Sequence, residues 1–566
     1  MSKTLNKLKS VITQALSLDQ LGFSYPPNNN LGELSLSFFD LAKSTKENPA
    51  KLAAEAAKTL NNSPKLKDYF QEIAATGPYL NFTLKPSFLA ESLLTEIKAT
   101  KHHYGQKAKI NEAPILIEYS NGNTHKEYHI GHLRNISYGA AVTQLLLANG
   151  RHSIPISYLN DFGIHVAKTI WHWKNSPKLQ ASQENKGYLL GHCYSEASKK
   201  LVEHPEDLAA VLKIMTNIEQ RQGADYELWQ ETRRWSIDYF NSIYQELGIK
   251  FDHTFYENEC LAEGLEIVEN LKSQGILTLS DGAIIANLES SDLGVLPIIR
   301  SGGTALYPVA DLALMSQKER RYQPQESIYV VDVRQSLYFK QLAKLAELMG
   351  HQTIIRHLAY DFVTLPDGLM SSRSGNIITY QELRDQIYEK LTEETKRRHP
   401  EWSTNRVHQV AWQLSLATIK FEMLKVGADK IITFNLTEAL RFDGYTACYL
   451  LYSYVRLQSL INKAPFIWPW TSINYSLLKT QKEKALLMKL ARYPETISLA
   501  GERYNPTELT KYLFELAQLT NDYYHETNIL KTEPKTRLAR LALIKGVSQV
   551  LANGFKILGL PLVTEM

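Results

Sequence analysis

The feature that most constrains this chain is a compact strand–loop–helix–strand pattern at residues 114–161. PILIEYS (114–120) is a short apolar, β-rich run, and SIPISYLND (153–161) is a second one. Between them LRNISYGAAVTQLLLANG (133–150) reads as a helix closed by Asn149-Gly150. A crossover of this length joins parallel strands in the right-handed sense, so the pattern predicts the start of a parallel, doubly wound sheet. In such a sheet ligands bind beyond the carboxyl ends of the strands, where the first strand passes into the first helix.

The loop at that place reads NTHKEYHIGHLRN, with HIGH at 129–132. Unsatisfied backbone N–H groups and the helix dipole make this helix start favourable for phosphate. His129 and His132, one turn apart, can donate hydrogen bonds to phosphate oxygens. Gly131 has no Cβ and lets a flat ring approach the backbone. The expected ligand is ATP. Four residues alone are compatible with chance; their position at the first β–α loop gives them weight.

The rest of the chain adds two further units. Residues 1–110 read as a small α/β unit, with Leu5, Leu8, Ile12, Ala15 and Leu16 at helical spacing and a strand-like LNFTL at 80–84. Residues 165–250 read as a helical insertion between two halves of the sheet. Strand-like pieces resume at 282–288, 296–301 and 327–333. From about 380 onward the chain is almost wholly helical. Its last helix aligns Leu541, Ile544, Val547, Leu551, Phe555 and Leu558, which predicts a bundle.

A chain of 566 residues can bury several such cores. Cys193, Cys260 and Cys448 lie far apart with no CxxC pair, which argues against a disulfide framework or zinc and for reduced thiols in a cytoplasmic protein. No apolar run reaches the roughly 18 residues that a membrane span needs. A net charge of +4 permits a nucleic-acid partner without demanding one.

HIGH resembles a signature of the class I aminoacyl-tRNA synthetases. Their second signature is a mobile loop near the end of the catalytic domain, and DGLMSSRSGN at 367–376 matches it in order and spacing. The loop resembles the arginyl version, and the arginyl pattern E-x4-N-x2-K-x2-H-x-G-H stands at 118–132. The resemblance implies an α/β fold: a Rossmann-type doubly wound catalytic domain at 111–380, carrying the insertion. It also implies an α/β N-terminal domain at 1–110 that contacts tRNA, and an all-α anticodon-binding bundle at 381–566. The implied reaction forms arginyl-adenylate from L-arginine and ATP. The arginyl group then passes to the 2′-hydroxyl of the terminal adenosine of tRNA, and the first step needs bound tRNA.

Site residues carry over position by position. Glu118 and Asn123 are implied to hold the amino and carboxylate ends of arginine. Glu259 in FYENE, Tyr307 and Asp311 in LYPVADLAL, and Gln335 in DVRQSLYF are implied to form the rest of its pocket. A planar, always-charged guanidinium suits paired carboxylates and an aromatic wall. Met370, Ser371, Ser372 and Arg373 are implied to close over the ATP held by His129 and His132. Tyr452 and Arg456 match positions that face tRNA. The loop LMSSR lacks the usual lysine, so Lys126, three residues before HIGH and helped by Arg373, is expected to supply the missing charge. Two further departures, Ala310 in place of arginine and His165 in place of glutamine, bear on substrate positioning. Mg²⁺ is expected to accompany ATP, and a monomer is expected. The lysine-free loop keeps one alternative open: a catalytically impaired, tRNA-binding relative.

Overall fold

The computed structural model describes residues 2–18, 22–27, 31–366, 378–465 and 472–566. Met370, Ser371, Ser372 and Arg373 lie outside the described residues.

The central sheet is built on strands β1 (Ile115–Glu118), β2 (Ser153–Leu159), β3 (His253–Tyr256), β4 (Glu326–Asp332) and β5 (Ile354–Tyr360). Every neighbouring pair is parallel and the spatial order is β3-β2-β1-β4-β5. The order reverses between β1 and β4, which places the ligand crevice beyond their carboxyl ends. All four residues of β1 are buried, as expected of a parallel strand covered on both faces.

Helix α1 (Ile130–Ala148) makes the first crossover and is buried on nearly every side. It lies between the sheet and the bundle helices Thr404–Leu424 and Gln481–Glu502. Gly139 permits this: a Cβ there would sit 2.3 Å from the Tyr119 ring. Asn135 on α1 joins the diverging strands. Its Oδ1 accepts the Ser120 N–H, and its Nδ2 donates to the Val330 carbonyl at 2.6 Å.

The insertion runs from helix Ile164–Lys174 to α2 (Gly223–Glu246) and buries a core of Val166, Ile170, Val211, Ile214 and Trp229. Asp161, fully buried after β2, ties it down. The carboxylate accepts Arg233 Nε from α2, and the Asp161 carbonyl accepts Trp229 Nε1 at 2.9 Å.

One sequence expectation changes here. The apolar pieces near 282–288 and 296–301 form Ala283–Asn287 and Val295–Ile299 of a separate three-stranded antiparallel sheet, not of the parallel one. Their burial alternates, as in a sheet with one solvated face. The outer parallel strands are instead β3 and β5. Both are half-exposed and lack a continuous apolar run.

In the N-terminal region four antiparallel strands, Phe23–Ser24, Leu34–Ser37, Tyr79–Leu84 and Phe70–Thr76, pair in that order. Helix Lys3–Leu16 buries Leu5, Leu8 and Ile12. In the C-terminal bundle the last helix, Pro534–Ile557, buries its expected apolar stripe. The bundle also reaches the histidine loop. At the start of helix Tyr380–Arg398 the Tyr380 N–H donates to the Tyr128 carbonyl at 2.6 Å, and Ile130 N–H donates to the Ile378 carbonyl at 3.3 Å.

Candidate active site

The crevice beyond β1 and β4 is a cleft of about 1260 Å³. His129 and His132 form one side of it. His129 is the N-cap of α1, and its Nδ1 accepts the Gly131 N–H at 3.1 Å. His132 Nδ1 accepts the His129 N–H at 3.1 Å in return. Both Nδ1 atoms are therefore acceptors, and each neutral ring carries its proton on Nε2. Burial, with Lys126 adding, pushes His129 down to about 4. Burial, then His129 and Lys126, pushes His132 well below the usual imidazole range. At neutral pH two uncharged rings with centroids 3.9 Å apart thus present N–H donors. Gly131 has a closer purpose than admitting a ligand ring: a Cβ there would stand 3.0 Å from Cε1 of His129 itself.

Lys126 is half-buried at the edge of this group, its ammonium 4.8 Å from the centre of the Tyr194 ring. It does not line the cleft, although its charge reaches His129 and His132.

The opposite wall is acidic. Helix α3 (Glu257–Ser273) follows β3, and α4 (Tyr307–Tyr322) begins at the cleft mouth. There Tyr307 is 70% exposed, while Asp311 on the next turn is half-buried and accepts the Tyr338 hydroxyl. Burial pushes the Asp311 carboxyl up to about 6; Tyr338 and Lys318 oppose that and Glu118 reinforces it. Glu118, at the end of β1, pairs with the buried Lys318 ammonium and accepts Asn121 Nδ2 at 2.8 Å. Lys318 also lies 4.0 Å from the centre of the Tyr329 ring. Asn123 bridges to Asn160 beyond β2, and Gln335 stands before α5 (Ser336–Leu348).

The cleft thus gathers Glu118, Asn123, Tyr307, Asp311 and Gln335 with His129, Gly131 and His132. Glu259 is placed elsewhere. Its carboxylate is 58% exposed, 3.7 Å from Arg233, and not on the cleft wall. Glu257, two residues earlier, turns inward: it is buried and accepts Asn160 Nδ2 at 3.2 Å. Burial pushes its carboxyl up to about 7, with Asp161 and Asp311 adding. Sequence reasoning missed Glu257, Lys318 and Tyr338.

Beyond β4 the wall continues with Asp332, Arg334 and Phe362. Arg334 Nε donates to Asp332 Oδ1 at 2.8 Å, and its guanidinium lies 4.4 Å from the Phe362 ring centre. Ala310 is 1% exposed in a core with Leu116, Ile156 and Cys260, a setting that would not take an arginine. His165 is held neutral by burial, and its Nε2 has no partner among the described residues. Tyr452 and Arg456, one turn apart on helix Ala447–Asn462, belong to the bundle, where Arg456 packs 3.9 Å from the Tyr524 ring centre. Cys193, Cys260 and Cys448 are buried free thiols.

Known proteins resemble this chain along nearly its whole length. The family model "tRNA synthetases class I (R), catalytic domain" matches residues 93–434. The arginyl-tRNA synthetase N-terminal domain matches 2–84, and the DALR anticodon binding domain matches 450–566. An arginine–tRNA ligase of Bdellovibrio bacteriovorus is 34% identical over 96% of this chain and 93% of its own length. One from Halothermothrix orenii is 30% identical over 94% of each. The fold also matches the Thermus thermophilus arginyl-tRNA synthetase, with a TM-score of 0.81 over 99% of this chain and 100% of that one, at 24% identity. Strand order, histidine cap and family match together define a class I aminoacyl-tRNA synthetase. Within that class the chain belongs to the arginyl-tRNA synthetase family.

Proposed function

We propose that this chain activates L-arginine with ATP and esterifies it to the 2′-hydroxyl of the 3′-terminal adenosine of tRNA(Arg). The observation that carries the reading is one cleft with paired neutral imidazole donors on one wall and the half-buried Asp311 carboxylate on the other. Asp311 and Tyr307 receive the guanidinium, with Gln335 beside them. Asn123 and Glu118 orient the amino and carboxylate ends. The adenosine lies beyond β4, near Asp332, Arg334 and Phe362.

In the first step the arginine carboxylate attacks the α-phosphate in line and pyrophosphate leaves. The Nε2–H groups of His129 and His132 stabilise charge on the phosphates, and Lys126 swings from Tyr194 to join them. Met370, Ser371, Ser372 and Arg373 are proposed to bind the nucleotide. Mg²⁺ accompanies ATP as part of the nucleotide substrate; among the described residues no cluster of three His, Cys, Asp or Glu side chains offers it a resident site. In the second step the ribose hydroxyl attacks the adenylate carbonyl and AMP leaves. The protein's work is mainly positioning.

Residues 1–110 and 381–566 are proposed as the tRNA-contacting and anticodon-binding units around the catalytic residues 111–380, with Tyr452 and Arg456 facing tRNA. An Arg beside aromatic rings suits unstacked bases. Among the described residues no helix is long and apolar enough to cross a membrane. A cytoplasmic monomer is the proposed working form. Acylation of tRNA with a panel of amino acids tests the reading. Arginine alone should be esterified; charging with another amino acid, or none at all, would replace it, the latter by a tRNA-binding relative without activity.

A further inference from the structure

His125, immediately before Lys126, is 0% exposed and holds φ at 62°, the left-handed region that a non-glycine residue enters at a cost. Each of its polar groups has a partner. Its N–H donates to Ser236 Oγ at 2.8 Å, and its carbonyl, at 3.3 Å, shares the Thr169 hydroxyl hydrogen with the His165 carbonyl at 3.0 Å. Nε2 stands 2.9 Å from Thr232 Oγ1 and Nδ1 stands 2.9 Å from Thr124 Oγ1. The Thr232 hydroxyl hydrogen is engaged by the Leu228 carbonyl at 2.8 Å, so Thr232 accepts from Nε2–H and Nδ1 accepts from Thr124. Burial, with Arg233 adding, pushes His125 down to about 3, consistent with a neutral ring in that tautomer.

Three of the four partners come from the insertion: Thr169 on helix Ile164–Lys174, and Thr232 and Ser236 on α2. The insertion therefore determines the backbone direction from which Lys126 leaves. We propose that His125 is a positioning residue for amino-acid activation, a saddle through which the helical insertion aims the Lys126 ammonium at the triphosphate. A left-handed residue held by three hydrogen bonds and a shared fourth is over-determined, as expected where a side chain must be directed rather than merely packed. Histidine fits the place because its distal donor spans from the loop to α2. The proposal rests on the phosphate-binding reading of Lys126.

The test is a cycle of Thr232→Val with Lys126→Ala. It is read by kcat and the KM for ATP in arginine-dependent pyrophosphate exchange with tRNA present, alongside thermal melts. Thr232→Val should lower kcat by about tenfold with Lys126 in place, less than the roughly 10²-fold that a full 1 Å misplacement of a reacting group can cost. In the Lys126→Ala background the same change should alter kcat less than about twofold, because there is no ammonium left to misdirect. Thr232→Ser, which keeps the acceptor, should restore the rate. His125→Asn, whose backbone tolerates the same φ, serves as a second probe if Thr232→Val folds poorly. Equal fold losses in both backgrounds, or no loss with Lys126 present, would overturn the positioning role while leaving Lys126 its own. An unchanged rate for Lys126→Ala alone would overturn the Lys126 reading, and this proposal with it.

Discussion

His129 and His132 cap one helix reciprocally, each committing its Nδ1 to a backbone N–H at 3.1 Å and leaving Nε2–H for the cleft. The cap and the donor are therefore different atoms of the same ring. His132→Asn keeps an acceptor near the Nδ1 position and removes the distal donor. It should leave the melting temperature nearly unchanged and lower kcat of pyrophosphate exchange by about 10²-fold, the usual effect of losing one preorganised donor. His132→Gln keeps a distal donor and should lose less.

The same burial makes the protein acid-sensitive. The unfolded His129 ring titrates near 6.5 and the folded one near 4. Between those values the unfolded state binds more protons, so stability falls as pH drops. The stabilisation is complete above about 6.5 and lost progressively toward 4 and below; its ceiling is on the order of 3 kcal/mol. His129→Asn retains a good N-cap and has no ring to titrate. Urea unfolding of the two proteins at several pH values should show wild type falling relative to the variant across that window.

Arginine recognition should follow the charge of Asp311, whose carboxyl titrates near 6. As pH falls through that value the carboxylate is lost, and kcat/KM for arginine should fall with it. Tyr338 donates to this carboxylate and holds its pKa down. Tyr338→Phe should therefore move the inflection to higher pH. Asp311→Asn should raise the KM for arginine by at least about 10²-fold, as expected when the carboxylate partner of a bound guanidinium is removed. Steady-state kinetics across pH 5–8 check all three.

Glu257 and Glu259 should separate clearly. Glu257 supports Asn160 beside the cleft, whereas Glu259 faces solvent near Arg233. Glu257→Gln should raise the KM for arginine by about tenfold, consistent with a weakened buried hydrogen bond to Asn160. Glu259→Gln should change it by less than about twofold.

That pair also shows how far the sequence could be read. The β1–α1–β2 crossover was legible because its apolar runs and its Asn-Gly helix end agree with one another. FYENE revealed acidic residues but not their direction. Helix α3 begins at Glu257, and residues two apart on a helix point roughly 200° away from each other. Only the position of the helix start decides which glutamate faces inward. Lys318 was within reach, since a spacing of seven returns it to the Asp311 face of α4. Its pairing with Glu118 across the sheet was not, because that contact joins residues 200 apart in the chain. The strands Ala283–Asn287 and Val295–Ile299 looked like sheet continuations because apolar runs do not say which sheet they join.

The central claim is that one cleft binds ATP and arginine together. The most direct measurement is exchange of radiolabelled pyrophosphate into ATP by the purified wild-type protein, with each amino acid in turn, with and without tRNA(Arg). The account predicts exchange with arginine when tRNA is present, and background levels with lysine and all other amino acids. Exchange driven by a different amino acid, or no exchange with arginine and tRNA together, would contradict it.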